Sequence, residues 1–369
     1  ALVALAREEK IDFTIVGPEL PLTLGVVNAF QKAGLKIFGP SREAAELEAS
    51  KVFTKNFLKK YNIPTARYEV FTEAEAAKEF VRKNSKSRWV IKADGLAAGK
   101  GVLVTQNEAE ALEGIDRVLT KQEFGKQAAV VEEFLDGEEL SFMVLCDGIE
   151  GLSLASSQDH KRLLDGDLGP NTGGMGAYSP APVMTPALQE EILRSIIAPT
   201  LAGMREEGRS FSGVLYAGLM ICGGKPFVLE YNVRFGDPEA EVLLPRLESD
   251  WLDLFLASVE GKVASAKPRW SSKSAVCIVL ASEGYPAQVK KGDRIEGLDQ
   301  AGGLGEVYHS GTAAEGSGFV TAGGRVLCVT ALGDSLQEAV RRSYEAVALV
   351  HFRGMQYRKD IASRGLKRA

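Results

Sequence analysis

The stretch Pro226-Phe227-Val228-Leu229-Glu230-Tyr231-Asn232-Val233-Arg234-Phe235-Gly236-Asp237-Pro238-Glu239 opens as an apolar strand and closes in a polar turn. Side chains on a strand alternate between two faces. Glu230, Asn232 and Arg234 are therefore expected on one face, with Leu229, Tyr231 and Val233 packed on the other. A carboxylate and an amide oxygen two residues apart suit Mg2+, a hard cation that keeps several waters and shares phosphate oxygens. A guanidinium in the same row can steady charge on a transferring phosphoryl group. An edge strand with a wet polar face is the plainer reading, and three functional types in one row argue against it.

A phosphate-handling row needs a phosphate cradle, and one lies upstream. Trp89-Val90-Ile91-Lys92, then Ala93-Asp94-Gly95-Leu96-Ala97-Ala98-Gly99-Lys100-Gly101-Val102, reads as strand, loop, strand. Gly95, Gly99 and Gly101 lack a Cβ, so backbone N–H groups can approach an anion, and Lys92 and Lys100 add point charge. The spacing is not that of a Walker loop, which has four residues between its glycines and Ser or Thr after the lysine. The expectation is a phosphate flap between two strands; the alternative is a flexible hairpin tip with a solvated lysine.

Between these segments, Ala128–Leu135 forms an apolar strand running into Asp136-Gly137-Glu138-Glu139. A purine ring can pair with backbone groups of such a connection while stacking on its apolar side chains. Glu139 is the candidate for the ribose hydroxyls, against the alternative that the acidic run is a solvated loop. Asp159-His160-Lys161-Arg162 leads into a polar glycine-rich loop, Asp165–Tyr178, that contains Gly169-Pro170-Asn171-Thr172-Gly173-Gly174-Met175-Gly176. Long structureless loops are usually functional or disordered, and this one offers N–H and O–H donors to a phosphate or carboxylate. His160 reads as a hydrogen-bonding orienter.

The chain has 369 residues, 45% hydrophobic and 25% charged, with 44 basic against 49 acidic side chains and a formal charge of −5. That balance argues against a general nucleic-acid binder, which needs a surplus of positive charge, and leaves room for a local basic pocket for a small anion. No apolar run approaches the roughly 18–20 residues of a membrane span. Cys146, Cys222, Cys277 and Cys328 stand far apart without a CxxC pair and read as reduced residues of a cytoplasmic protein. At the front, a helix over 1–10, a short buried strand at Phe13–Val16, a helix over Leu22–Ala33 and a strand at Leu35–Phe38 give a doubly wound α/β pattern. Two short strands cannot bury a sheet alone, so the first domain is expected to be partial. A helix follows from Ser41 to about Tyr61. Beyond a linker at Lys267-Pro268-Arg269, strands at Ala275–Ala281, Gly305–His309 and Arg325–Leu332 and a helix from Ser335 to His351 predict a small α+β domain.

In chain order these pieces are a helix-borne Lys51, a strand Lys92 with a glycine flap, an acidic hinge and a Glu-x-Asn strand. That order resembles the ATP-grasp enzymes. The wording of Val16-Gly17-Pro18-Glu19, Ser50-Lys51, 92–102, 158–162, 169–176 and 232–239 is similar to the phosphoribosylamine–glycine ligase family, along the whole chain. Family members open with Gly-x-Gly-Gly-Arg-Glu-His after a strand, and this chain has neither. The resemblance implies an α/β and α+β multidomain protein: a truncated Rossmann-like domain (1–48), an ATP-grasp domain (49–264, small lobe about 66–135) and a C-terminal domain (265–369).

The resemblance further implies ligation of glycine to 5-phosphoribosylamine through glycyl phosphate, in purine biosynthesis, with ATP as co-substrate and Mg2+ or Mn2+ as cofactor. Lys51, Lys92, Gly95, Gly99, Lys100 and Gly101 would hold the phosphates. Glu132, Glu133, Phe134, Leu135 and Glu139 would hold adenine and ribose. Glu230 and Asn232 would be metal ligands and Arg234 the catalytic cation. Glu19, Asp159, Lys161, Asn171, Thr172, Gly173, Gly174, Asp237 and Pro238 would contact the other substrates. The expected partners are these small molecules, with no nucleic acid or membrane and no required oligomer. Another ATP-grasp carboxylate–amine ligase, or a non-catalytic ATP-binding protein, is the alternative. The 171–175 loop and Asp237-Pro238-Glu239 speak against the first, and an intact phosphoryl-transfer row speaks against the second.

Overall fold

The computed structural model describes residues 1–84, 88–96 and 101–368. These form two compact units assembled from separate stretches of chain: Ala1–Ser153 with Pro186–Phe235 and Leu252–Ala266, and Leu154–Thr185 with Gly236–Trp251 and Lys267–Ala369. Among the described residues no helix is long and apolar enough to cross a membrane. The four cysteines are free thiols; Cys222 is half-buried and the other three are buried.

The first unit contains two antiparallel four-stranded sheets. One has the order Tyr68–Phe71, Ala129–Glu133, Trp89–Ala93, Val102–Val104. Trp89, Ile91, Ala93, Ala129 and Val131 bury one face of it against Ala77 and Val81 of one helix and Ala111 and Ile115 of another. Lys92 pairs with Val102, so the two strands expected on either side of the glycine turn are present. Gly99 and Lys100 lie outside the described residues.

The other sheet has the order Lys225–Asn232, Ser212–Cys222, Glu138–Asp147, Gly151–Ser153. Glu138 and Glu139 thus belong to a strand rather than to a solvated loop. Here the strand bearing the polar row departs from simple alternation. Gly218 pairs with Glu230 but Leu219 with Val228, so Leu229 is an extra, bulged residue. A bulge resets which side chains face inward. As a result Val228 (0% exposed), and not Leu229, joins Tyr231 and Val233 in the core. The second correction concerns Arg234: the strand stops at Asn232 and Arg234 lies in the bend beyond. Its ladder ends there because the Val233 N–H donates to the Glu48 carboxylate at 2.7 Å.

At the front, the two short strands pair in parallel as Thr14–Ile15 and Ile37–Phe38. The first is not buried as expected: Ile15 is 49% exposed, whereas Ile37 and Phe38 are inside. The helix expected over 22–33 is split at Gly25, whose φ of 82° is left-handed and cannot continue a helix. The helix expected over 41–61 is split at Ser50, whose extended backbone lets its hydroxyl cap the Phe53 N–H at the start of Lys51–Lys60.

The second unit has a five-stranded sheet ordered Glu306–His309, Arg325–Gly333, Ser274–Ala281, Gly176–Ser179, Gln158–Asp159. The Leu336–Val347 helix, capped by Ser335 and shorter than expected, packs Leu336, Ala339 and Ala346 into its core. The stretch Asp165–Tyr178 is not a structureless loop. Arg162–Leu164 and Leu168–Asn171 form an antiparallel hairpin. Gly166 (φ 69°) and Asp167 (φ 55°) at its tip supply the left-handed turn such hairpins need.

Candidate active site

In the first unit the helix Lys51–Lys60 docks on the root of the glycine turn. Ser50 Oγ donates to the Asp94 carboxylate at 3.0 Å, and Lys51 Nζ to the Gly95 carbonyl at 2.8 Å. Burial pushes the Lys51 ammonium below its usual range, a shift opposed chiefly by the Glu230 carboxylate. One turn on, Lys55 and the strand residue Lys92 both meet Glu132, with Nζ to carboxylate distances of 3.0 and 3.1 Å. All three side chains are almost fully buried. Burial brings Lys55 down to about 8 despite the Glu132 charge. Lys92 Nζ also donates to the carbonyl of the bulged Leu229, 2.8 Å away. Sequence reasoning missed Lys55, although its spacing of four from Lys51 puts both on neighbouring turns of one helix.

Glu230 and Asn232 pair with Gly218 and Tyr216, and so share a sheet face with Ser141 and Met143. Both are half-exposed, while Tyr231 between them is buried and its hydroxyl meets Thr200 Oγ1 at 2.6 Å. The Glu230 side chain lies over Gly218, where a Cβ would sit 3.4 Å from Glu230 Cγ. A hard carboxylate and a hard amide oxygen on one face, both still half-exposed, fit Mg2+. Beyond them Arg234 is held on three sides. Its Nε donates to Glu19 at 3.1 Å, its Nη2 to Glu48 at 3.0 Å, and its Nη1 to the Phe235 carbonyl at 2.9 Å. Burial raises the Glu48 carboxyl and the Arg234 charge opposes that rise. Glu19, expected at a substrate, is thus a partner of Arg234.

The acidic hinge is partly committed to the fold. Glu132 belongs to the lysine pair, the Glu133 N–H donates to the Arg67 carbonyl at 3.0 Å, and the Phe134 N–H to Arg88 at 2.9 Å. Arg88 stacks over the Phe134 ring, 3.7 Å from its centroid. Leu135 follows, and Glu139 is half-buried on the next strand, opposite Met220.

In the second unit Asp159 is buried and Lys161 half-buried. Thr172 bonds back to the Lys161 carbonyl through both its N–H and its hydroxyl, each at 2.8 Å, and accepts the Gly174 N–H at 3.0 Å. Asn171 ends the hairpin strand that leads into this turn. Gly174 has φ 114°, and a Cβ there would lie 2.4 Å from Pro238 Cδ, so the Thr172–Gly174 turn fits against the cis Asp237-Pro238 peptide. Arg325, unmarked in the sequence reading, grips Asp237 through both carboxylate oxygens at 2.8 and 2.9 Å. Glu241 nearby is pushed up to about 7, by burial first and then by Asp237. Asp237, Glu241 and Cys328 each place a donor atom within 4.8 Å of the others, but Arg325 already takes both Asp237 oxygens. His160 is fully buried, and its Nε2 accepts the Ala362 N–H at 3.0 Å, as an orienting histidine should. Burial holds its imidazole below the ordinary range.

Comparison with known proteins agrees along the chain. The phosphoribosylglycinamide synthetase N domain matches residues 1–48, its ATP-grasp (A) domain 49–240 and its C domain 275–364. A phosphoribosylamine–glycine ligase of Neisseria meningitidis serogroup B is 53% identical, over 100% of this chain and 88% of the relative. One of Vibrio vulnificus is 52% identical, over 100% and 86%. The crystal structure of phosphoribosylamine–glycine ligase from Thermotoga maritima superposes with a TM-score of 0.78 at 40% identity, covering 88% of this chain and 81% of that one. The biotin carboxylase domain of Hydrogenobacter thermophilus 2-oxoglutarate carboxylase, solved with MgADP, has a TM-score of 0.70 at 16% identity, covering 96% and 78%. At that identity the likeness speaks to the fold alone, which is the ATP-grasp fold expected from the sequence. Enzymes of that fold use ATP with a divalent cation. With three domain matches in chain order and relatives about half identical over the whole of this chain, the chain belongs to the phosphoribosylglycinamide synthetase family.

Proposed function

We propose that this protein joins glycine to 5-phosphoribosylamine, converting ATP to ADP and phosphate and forming glycinamide ribonucleotide in purine biosynthesis. The observation that supports this reading best is Glu230 and Asn232 on one sheet face, with the Glu230 carboxylate within the electrostatic reach of Lys51. Glycine's carboxylate attacks the γ-phosphorus, ADP departs, and the acyl phosphate is then opened by the amine as phosphate leaves. The first step brings two anions together, so fixed positive charge matters more than a general base.

Lys51, Lys92, Gly95, Gly99, Lys100 and Gly101 hold the phosphates. Glu230 and Asn232 hold Mg2+, which offsets phosphate charge when bound. Arg234, fixed by Glu19 and Glu48, stabilises charge on the transferring group. Glu133 to Leu135 and Glu139 receive adenine and ribose; with the Glu133 and Phe134 N–H groups engaged, Leu135 supplies the donor to the base. Asp159, Lys161, the Asn171–Gly174 turn and Asp237-Pro238 serve the glycine and phosphoribosylamine. We assign the domains to 1–48, 49–264 and 265–369 and the protein to the cytoplasm, with small molecules as its partners.

The test is phosphate release with ATP, Mg2+, glycine and phosphoribosylamine, each omitted in turn. Release is expected only with all four, and turnover indifferent to glycine would remove the assignment.

A further inference from the structure

We propose that Arg325 is a positioning residue that locks the Thr172–Gly174 turn to Asp237 and so shapes the pocket for glycine or phosphoribosylamine; this rests on the ligase reading above. One guanidinium serves two segments far apart in sequence. Nη1 donates to the Gly173 carbonyl at 2.9 Å and to the Asp237 carbonyl and Oδ1 at 2.8 Å each, while Nη2 takes Asp237 Oδ2 at 2.9 Å. The Gly173 N–H donates to the Tyr285 hydroxyl at 3.0 Å, so the Gly173 residue is fastened on both its N–H and its C=O. A Cβ on Gly173 would lie 3.1 Å from Arg325 Cζ, so the missing side chain is what allows the approach.

These segments have little hydrocarbon of their own to hold them. Asp237 is 46% exposed, and the turn is made of small polar residues. Arg325, by contrast, starts an interior strand of the five-stranded sheet, whose register to Ser274–Ala281 runs through eight residue pairs. A planar fork on a rigid strand can fix a carboxylate and a carbonyl together; an ammonium, a point charge, cannot reproduce both. The Arg325 side chain is only 21% exposed, and its one guanidinium is shared between a carboxylate and two carbonyls on separate segments, which points to placement of those segments as its use.

The experiment uses the full chain with Arg325→Gln, Arg325→Lys and Tyr285→Phe. Arg325→Gln should raise KM for glycine or phosphoribosylamine at least tenfold with KM for ATP within twofold. Arg325→Lys should keep the melting temperature of the parent yet recover less than half of that loss in KM. Tyr285→Phe, which removes one oxygen, should raise the same KM about threefold, and it keeps the idea open to refutation if Arg325→Gln does not fold. Amide exchange at Gly173 and Gly174 should quicken at least tenfold in Arg325→Gln. Equal KM values in all variants, full recovery by lysine, or unchanged exchange overturn the proposal. If the parent chain releases no glycine-dependent phosphate, the ligase reading fails instead, and exchange still decides whether the clamp exists.

Discussion

Arg234 and Glu48 form an ion pair at 3.0 Å in which the carboxylate, 8% exposed, also accepts the Val233 N–H through its other oxygen. The acid that aims the arginine is the same one that ends the strand before it. Glu48→Gln should therefore lower kcat through misplacement of Arg234. A tenfold loss or more, with the Mg2+ requirement little changed, is expected in steady-state assays. Arg234→Lys should cost about 10²-fold in kcat or more, the scale of losing a charge-stabilising donor, with ATP affinity nearly kept. Equal losses in kcat and ATP affinity would show a nucleotide anchor.

Asn232→Ala removes one of two hard oxygens on the polar face of its strand. The Mg2+ concentration needed for half-maximal rate should rise about tenfold or more while the fold stays intact, since Tyr231 and Val233 supply the packing. An unchanged metal titration would refute the ligand role.

Lys55 gives a pH signature. In the unfolded chain its ammonium holds a proton to about 10.5, and in the fold to about 8. Between those values the unfolded state binds more protons, so this group's contribution to stability rises with pH and is lost as pH falls through 8. Urea unfolding from about pH 7.5 to about 9.5 should show the parent gaining about 2 kcal/mol on Lys55→Met. Glu132→Gln, which leaves two ammonium groups without their shared carboxylate, should cost about 3–5 kcal/mol.

His160 gives the opposite end of the scale. Its folded affinity for protons is below the ordinary one, so its contribution is present above about pH 6.5 and fades as pH drops. Protonation at Nε2 would break the bond from Ala362. His160→Gln, whose amide oxygen can accept that N–H, should flatten the decline in melting temperature between about pH 7 and about pH 5.

Gly174→Ala would bring a methyl within 2.4 Å of Pro238 Cδ at a backbone angle of 114°. The strain of such a residue is about 1–3 kcal/mol, with overpacking on top. Calorimetry should show the lower melting point, and KM for glycine or phosphoribosylamine should rise.

Where periodicity and turn chemistry were strong, the sequence was a sound guide. The strand at Trp89, the hairpin around Gly95, the partition of Glu230 from Tyr231 and the helix after Ser335 all follow from local patterns. Three features did not. The bulge at Leu229 costs one residue of alternation and is fixed by pairing to Ser212–Cys222, which no local window reveals. Arg234 looked like a third strand residue because period two extrapolates past any end, and the acid that stops the ladder lies 185 residues away. Arg325 and Tyr285 carried no motif; their importance comes from where the sheet delivers them. Lys55 was visible in spacing but silent in meaning until Glu132 stood beside it.

The extra residue at Leu229 has a consequence for how this enzyme can change. Upstream of it the strand is bound by Pro64 and Thr65, which bond to Val228; downstream it presents Glu230 and Asn232. Removing Leu229 would leave Val228 opposite Leu219 and Glu230 opposite Gly218, so the carboxylate and amide would keep their face, and what would go is the carbonyl that accepts the Lys92 ammonium. A residue gained or lost between Glu230 and Asn232 would instead turn one of the two to the opposite face, so the bulge is a spare length that the strand can give up, whereas the spacing just after it is what natural selection must preserve.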